Sequence, residues 1–142
     1  CVMLEIETIA HDEALDGIKE DQRLYDSLGG DAVELPEDGM YFRVKWGDEQ
    51  LGFTLFHPSD EEGVWQAHAA FHSRVWGQKR HRPMITLAGQ QTSKTVAATD
   101  GVDVVYAEIP ADMPAVLEYA ERIGMRHLGA KAEQEIYVLW AS

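Results

Sequence analysis

Apolar residues recur at helical spacing in one segment near the end of the chain, residues 111–125. Positions i, i+3, i+4 and i+7 of this segment are apolar, so they would share one face of a helix with charged residues opposite. Strand-like runs precede and follow the segment, which indicates a helix packed on a sheet. The apolar positions are Val116, Tyr119, Ala120 and Ile123.

The same segment carries signals for where its helix begins and ends. The Asp112 carboxylate can accept a hydrogen bond from the free N–H groups of a first turn, and Pro114 suits that turn because it needs no donor there. Gly124 can adopt the left-handed conformation that ends a helix. The segment therefore predicts a helix that Asp112 caps and Gly124 ends.

The middle of the chain alternates with a period of two, as strands do. In residues 40–46 alternate positions are apolar, and Leu51, Phe53 and Leu55 continue the alternation in a second strand. The polar turn between these two runs predicts a β-hairpin. Residues 64–71, VWQAHAAF, are apolar enough for a central strand. Three consecutive antiparallel strands are therefore predicted.

Shorter patterns complete the order β-α-β-β-β-α-β-α-β-β. This order predicts an α+β fold in which helices flank a mixed, mainly antiparallel sheet, as one domain over residues 1–142. The remaining predicted elements are strands over residues 2–8 and 102–110, a helix from His11 or Asp12 to Leu28 that Gly29 and Gly30 stop, a loop at 31–39, a short helix after Pro83 and a closing hairpin from 126.

Length and composition fit one soluble domain. A chain of 142 residues with 45% hydrophobic residues can bury one core but not two. The absence of an apolar run of about 18 residues predicts no membrane span, and the absence of a signal-peptide pattern predicts a cytoplasmic protein. The single cysteine, Cys1, offers neither an internal disulfide nor a cysteine cluster for zinc.

Charge is distributed unevenly along the chain. The net charge of −13, from 12 Lys plus Arg and 25 Asp plus Glu, would repel nucleic acid and anionic membrane over most of the surface. A basic segment nevertheless stands at residues 72–83. One interpretation is a solvated loop whose charges offset nearby acids, and the other is an anion site. Its basic residues are Arg74, Lys79, Arg80 and Arg82.

The element order and the C-terminal block resemble the GNAT superfamily of acyl-coenzyme A dependent N-acyltransferases. The block runs from a strand ending in Ile-Pro, through the helix that ends in Ile-Gly-Met, to a hairpin. This resemblance implies a GNAT-like fold, with acetyl-CoA as cosubstrate and an amine as acceptor. The chain also resembles short GNAT-like proteins of tailed phages, some of which are packaged in the virion.

The resemblance implies where coenzyme A would bind. In the family a Q/R-x-x-G-x-G/A loop after the central strand offers backbone N–H groups and a helix N-terminus to the pyrophosphate. Residues 74–79 match this loop, except that Lys79 stands where Gly or Ala is expected. Lys79 would either crowd the loop or contact phosphate itself. The implied cofactor-binding residues are Ala70, Phe71, Arg74, Gly77, Lys79 and Arg80.

The resemblance also implies catalytic residues. His68, on the central strand, is the candidate base that removes the amine proton, since an imidazole titrates near neutrality. The alternative for His68 is a hydrogen-bonded core histidine. Tyr119 is the candidate acid for the departing thiolate, although Ala120 occupies the family's Tyr position and Tyr119 would point about 100° away around the helix.

Other site chemistry has little support in the sequence. His68 and His72 have an HxxxH spacing, but ligation at i, i+4 requires a helix, so no metal site is predicted. Nucleophile-elbow, Walker and Rossmann motifs are absent. Trp76 lies inside the basic segment and is predicted to be exposed, as an anchor for a protein partner.

Two functional hypotheses follow. The first is a small GNAT-like N-acetyltransferase that transfers an acetyl group from acetyl-CoA to an amine. The second is a GNAT fold without turnover that serves as a structural or packaged component of a phage particle, with other virion proteins as partners. The sequence leaves the acyl acceptor and a homo-oligomeric state open, and function has to be argued from the site rather than from the fold.

Overall fold

The computed structural model describes residues 3–30 and 35–140, and the strands of this part form one seven-stranded sheet. The strands are β1 (Leu4–Ile9), β2 (Met40–Trp46), β3 (Glu49–Pro58), β4 (Val64–Phe71), β5 (Val104–Pro110), β6 (Arg126–Lys131) and β7 (Gln134–Trp140). Their order across the sheet is β1-β2-β3-β4-β5-β7-β6. Neighbouring strands are antiparallel, except that β4 and β5 are parallel. The predicted α+β class with a mainly antiparallel sheet is confirmed.

Helices cover both faces of this sheet. They are α1 (His11–Lys19), α2 (Gln22–Ser27), α3 (Ser73–Trp76), α4 (Arg82–Ala97) and α5 (Pro114–Arg122), with a 3-10 turn over Lys79–His81. None of these described helices is both long and apolar enough to cross a membrane. The predicted order holds for the strands and the main helices. The prediction missed α3 and the 3-10 turn, and it made α4 too short.

The first predicted helix is in fact two helices. The break falls at Asp21, whose side chain accepts hydrogen bonds from the backbone N–H groups of Arg23 and Leu24 at 3.1 and 3.3 Å. Asp21 thereby caps α2 and stops α1 from continuing. Gly17 lies inside α1 because the helix presses on Phe53 of β3, where an added Cβ would lie 2.3 Å from Cζ of that ring.

Strand β3 does not keep a single alternation. Val44 pairs with Gly52 and Lys45 pairs with Gln50, so Leu51 is an extra residue at a β-bulge. Leu51 therefore packs on one face of the sheet, while Phe53 packs on the other. The prediction that these two side chains share a face was wrong because the bulge reverses the alternation.

Helix α5 confirms the predicted apolar face but not the predicted cap. Met113 occupies the N-cap position, and no side-chain hydrogen bond caps the helix, so Asp112 does not act as predicted. Tyr119 and Ala120 are buried, as the helical spacing predicts. Gly124 follows the helix with φ of +98°, the left-handed conformation expected of it.

The sheet divides the core into two sides. On one side, called the α1 face, α1 and α2 cover a cluster that includes Tyr41, Phe53 and Leu55. On the other side, called the α4 face, α4 and α5 cover clusters of side chains that include Phe71 and Val105. The predicted start of the first strand at residue 2, the predicted loop over residues 31–34 and the end of the closing hairpin at residues 141–142 lie outside the described residues, as does Cys1.

Candidate active site

Strands β4 and β5 separate partway along their length. They pair only from Val64 to Gln66, opposite Val104 to Tyr106. Beyond that point β4 still pairs with β3 as far as Phe71, and β5 pairs with β7. Within residues 3–30 and 35–140, no strand occupies the edge of β4 that faces β5 after Gln66. Backbone groups on that edge are available to a ligand, since buried N–H and C=O groups need partners.

A cavity of about 260 Å³ fills the space between the separating strands. It is larger than the engineered cavity of about 150 Å³ that holds benzene. Its lining comes from both sides of the sheet, with α2 on the α1 face and with α4 and α5 on the α4 face. Lining residues include Ser27, Leu28, Thr54, Phe56, Gln66, Ala67, His68, Ala69, Ser93, Glu108, Met113, Tyr119, Ala120 and Ile123.

His68 of β4 lines this cavity on the α1 face, beside a second histidine from β3. Nε2 of His57 lies 3.0 Å from Nε2 of His68, and the two ring planes differ by 19°. Nδ1 of His57 lies 3.0 Å from the backbone oxygen of Pro58. The register of β3 and β4 produces this pair, because His57 is opposite Gln66, two residues from His68 on the same face.

The hydrogen bonds fix which ring nitrogens carry protons when both rings are neutral. The oxygen of Pro58 can only accept, so His57 donates from Nδ1 and its Nε2 must accept. His68 then donates from Nε2 and leaves its Nδ1 without a proton. His68 therefore presents a free lone pair, as a general base requires.

Burial and, to a smaller extent, the neighbouring His57 together lower the pKa of His68 to about 4. The imidazole is thus neutral at every pH near neutrality. A neutral imidazole is the form that can accept a proton, although a low pKa weakens it as a base. His68 is half-buried, bonds to His57 and also lines the cavity, so both alternatives for it stay open.

Tyr119 also lines the cavity, from the α4 face. Its ring packs edge-on against Phe71 and Trp76, with both pairs of ring centroids 5.5 Å apart. Burial raises the pKa of Tyr119, so its hydroxyl stays protonated and could donate. The hydroxyl passes so close to α4 that a Cβ on Gly89 would lie 2.2 Å from it. Ala120 lines the same cavity.

Ala70 and Phe71 end β4 on opposite faces of the sheet. Ala70 packs in the α1-face cluster, and Phe71 packs in the α4-face cluster. Both side chains are buried, so only their backbone groups lie along the open edge of β4. A ligand between β4 and β5 would meet these two residues through the main chain.

Glu49, at the start of β3, bonds to three side chains of the basic segment. Its carboxylate lies 2.6 Å from Nη1 of Arg74, 3.3 Å from Nη2 of Arg80 and 3.2 Å from Nε2 of the buried His81. The hydrogen bond with His81, followed by that with Arg74, holds the pKa of Glu49 below its ordinary value. The interpretation of this segment as charges that offset a nearby acid is correct for Arg74 and Arg80.

The rest of the predicted phosphate loop is wound into short helical turns. The backbone N–H groups of Gln78 and His81 bond to Val75 and Gln78 within the loop, so they are not free for an anion. Gly77 has φ of −84° and open space around it, so the fold does not require glycine there. Lys79 is exposed and has no ion-pair partner among the described residues.

Two further sequence predictions concern this region. Trp76 is not an exposed anchor, because its ring is partly buried against Phe71 and Tyr119. His72 does not face His68, since its Nδ1 lies 2.9 Å from the Asp21 carboxylate and its Nε2 accepts from the Gln50 amide at 3.0 Å. In the described ranges, no group of three or more His, Cys, Asp or Glu side chains could hold a metal.

Sequence reasoning missed His57, Glu49 and the buried hydroxyls of Thr54 and Ser93. His57 carried a usable signal, since it and His68 stand on adjacent strands around one short turn, and pairing across that turn brings them together. Glu49 carried none, because its partners come from a loop 25 to 32 residues away. Only the folded chain brings those groups together.

Comparisons with known proteins support the fold. No family model and no curated protein matches the sequence. Solved structures do match, including a GNAT-family acetyltransferase from Streptococcus pneumoniae (TM-score 0.68, 12% identity, 96% of both chains). An aminoglycoside acetyltransferase, AAC(6')-Ib, in complex with coenzyme A and kanamycin has a TM-score of 0.70 at 8% identity, over 97% of this chain and 95% of that one. A Bacillus subtilis acetyltransferase in complex with CoA has a TM-score of 0.57 at 13% identity, over 99% of both chains. The chain therefore has the GNAT fold.

Proposed function

We propose that this protein is an acyl-CoA-dependent N-acyltransferase, which in the simplest case transfers an acetyl group from acetyl-CoA to an amine. The observation that carries the proposal is the gap between β4 and β5, with an unpaired strand edge and a cavity of about 260 Å³ that contains His68. A strand edge can bind the amide groups of an extended ligand, as in other strand-addition sites. Coenzyme A carries such amides in its pantetheine arm.

The reaction needs few groups from the protein. The amine attacks the thioester carbonyl, a C–N bond forms, and the C–S bond breaks to release the CoA thiolate. His68 accepts the amine proton at Nδ1, and Tyr119 is the candidate donor to the thiolate. Glu108 lines the cavity on the α1 face, where a carboxylate would attract an amine that carries positive charge.

The phosphates of coenzyme A would lie at the basic segment, beyond the open end of the gap. Lys79 is exposed there, whereas Arg74 and Arg80 already bond to Glu49. The two arginines would have to share their donors between Glu49 and phosphate, which an Arg guanidinium with five N–H groups can do. Ala70 and Phe71 would contribute backbone contacts, and Gly77 leaves open space beside the loop.

A second candidate is a GNAT-fold protein without turnover that acts through protein contacts. The observation that favours it is the same group of Glu49 contacts, since a carboxylate already occupies the centre of the segment expected to bind an anion. A virion component is the form of this candidate that the sequence resemblance suggests. It predicts neither acyl-CoA binding nor turnover.

Thiol release from acetyl-CoA tests the proposal, with a panel of primary amines as acceptors. The informative variant is Ala67→Leu, which would fill the cavity at β4. Ala130→Leu is its control, because Ala130 is exposed on β6. We expect wild type and Ala130→Leu to release thiol in an amine-dependent way and Ala67→Leu to lose that activity while it still unfolds cooperatively. Equal activity of all three proteins would mean that the cavity is not the active site. Inactivity of wild type with every amine would favour the second candidate.

A further inference from the structure

Thr54 has a buried hydroxyl without a hydrogen-bond partner. Its side chain is 2% exposed, and Oγ1 finds no donor or acceptor in the described part of the chain. A buried hydroxyl that has left water without gaining a partner destabilises the protein that holds it. Thr54 lines the cavity, so a ligand in the cavity can supply the missing partner.

Ser93 provides a second hydroxyl on the opposite wall. Thr54 points to the α4 face, since its strand neighbours Phe53 and Leu55 pack on the α1 face. Ser93 is 3% exposed on α4 and lines the same cavity. The hydroxyls of Thr92 and Thr95 donate to carbonyls of their own helix at 2.8 and 2.9 Å, whereas Ser93 makes no such bond within the described residues.

Small side chains line the cavity beside Thr54. Ala69 is directly opposite Thr54 in the register of β3 and β4, and Ala67 is opposite Phe56 on the same face. We call the part of the cavity that Thr54, Ser93 and Ala69 bound the hydroxyl lobe, whereas Ala67 lies at the point where β4 and β5 separate. The hydroxyl lobe lies on the α4 face, while His68 lies on the α1 face. A thioester in the gap would thus have the amine on one side and its acyl chain on the other.

The charges of the cavity restrict what the hydroxyl lobe can hold. None of the described residues that line the cavity is Lys or Arg, and the acidic one, Glu108, lies on the α1 face. A carboxylate on the acyl group would be desolvated there without a cation, which is costly. A neutral hydroxyl can donate and accept, so it can satisfy both Thr54 and Ser93.

We propose that the hydroxyl lobe selects a short acyl chain that is longer than acetyl and carries a hydroxyl, so that the preferred cosubstrate is a hydroxyacyl-CoA. This rests on the proposed acyltransferase function and names the acyl group that it transfers. The reaction is unchanged, since the thioester C–S bond breaks, the C–N bond forms and the hydroxyl of the acyl chain is retained.

Competition between matched thioesters tests this inference. The ratio of kcat/KM for 3-hydroxybutyryl-CoA over butyryl-CoA measures the preference for the hydroxyl, since the two acyl groups differ only there. Succinyl-CoA tests whether an acyl group with a carboxylate is rejected. For wild type we expect a ratio of about ten, the factor that one well-made hydrogen bond supplies. Thr54→Val keeps the shape and removes the hydroxyl, so its ratio should fall to about one. Ser93→Ala should lower the ratio as well, and Thr8→Val, at an exposed position of β1, should leave it at the wild-type value.

The outcomes separate this inference from the function on which it rests. If wild type turns over acetyl-CoA and its ratio is near one, the inference that the hydroxyl lobe selects a hydroxyacyl group is wrong, while the acyltransferase proposal is unaffected. A ratio of ten that survives both Thr54→Val and Ser93→Ala would also overturn it. No binding and no turnover of any thioester would overturn both proposals together.

Discussion

Nε2 of His57 hydrogen-bonds to Nε2 of His68 at 3.0 Å, and this contact determines what His68 can do. Because neutral His57 donates its single ring N–H, at Nδ1, to the oxygen of Pro58, the bond between the two rings requires the proton to sit on His68 Nε2. The free lone pair is then Nδ1 of His68. A histidine on β3 thus sets the tautomer of a histidine on β4, as the partners of catalytic histidines commonly do.

Substitution of His68 should lower the rate of the chemical step without weakening the binding of acetyl-CoA. We expect His68→Gln to lower kcat by about a hundredfold, since a positioned base contributes at least that much, while stabilisation by acetyl-CoA persists. His57→Gln should lower kcat less. The imidazole of His68 remains in this variant, but its proton is no longer held on Nε2 by His57. His127→Gln is the control, since His127 is exposed on β6 and pairs with Glu135. Unchanged kcat in His68→Gln would exclude this residue as the base.

The low pKa of His68 predicts a specific dependence of stability on pH. The unfolded chain binds a proton on this residue below about pH 6.5, whereas the folded chain resists protonation down to about pH 4. Folding stability should therefore be fully present above pH 6.5 and fall as the pH drops towards 4, by roughly 3 kcal/mol at most. Chemical unfolding at several pH values should show a shallower fall for His68→Gln. Parallel curves for the two proteins would contradict a lowered pKa.

Glu49 competes with any anion for the arginines that surround it. Glu49→Gln keeps the shape and removes the charge, so Arg74 and Arg80 become available to the phosphates of coenzyme A. We expect affinity for CoA to rise about threefold, in the range of an exposed ion pair. Glu13→Gln, which removes the pair with Arg43 near β1, is the control. A loss of affinity measured by titration would mean that Glu49 organises the segment for the ligand instead.

The packing of α5 against α4 requires a glycine at position 89. In an open helix Gly→Ala stabilises by about 1 kcal/mol, but a Cβ at this position would meet the Tyr119 hydroxyl at 2.2 Å and Ile123 Cγ2 at 2.7 Å. We expect Gly89→Ala to destabilise instead, by roughly 1–3 kcal/mol. Tyr119→Phe should recover part of that loss in the double variant. Gly129→Ala, with open space around it, is the control for the substitution itself, and stabilisation by Gly89→Ala would contradict the close approach.

The sequence was most informative where local patterns decide structure. Strand β4 was predicted correctly from its apolar run, and the apolar face of α5 from its helical spacing, although the predicted Asp112 cap of α5 was wrong. The bulge at Leu51 and the break at Asp21 were missed. A single inserted residue reverses an alternation without changing its composition, and a capping carboxylate inside a helical stripe looks like any other polar residue.

The candidate site was less predictable than the fold. His68 and the basic segment were visible as residue types, but their partners were not. Whether Arg74 is free or bound depends on Glu49, which stands 25 residues earlier in the chain. The hydroxyl of Thr54 could be recognised as unpartnered only after β3, β4 and α4 were packed around it. Contacts of this kind are set by the tertiary fold, so no local pattern reports them.

Binding of acetyl-CoA is the most direct test of the central claim that the gap between β4 and β5 is an acyl-CoA site. Titration calorimetry on wild type, Ala67→Leu and Ala130→Leu would measure it. We expect wild type and Ala130→Leu to bind one acetyl-CoA per chain and Ala67→Leu to bind much more weakly. A ligand at a hundredfold excess over its dissociation constant should then stabilise wild type by about 2.7 kcal/mol. No heat of binding and no stabilisation of wild type at millimolar acetyl-CoA would contradict the claim.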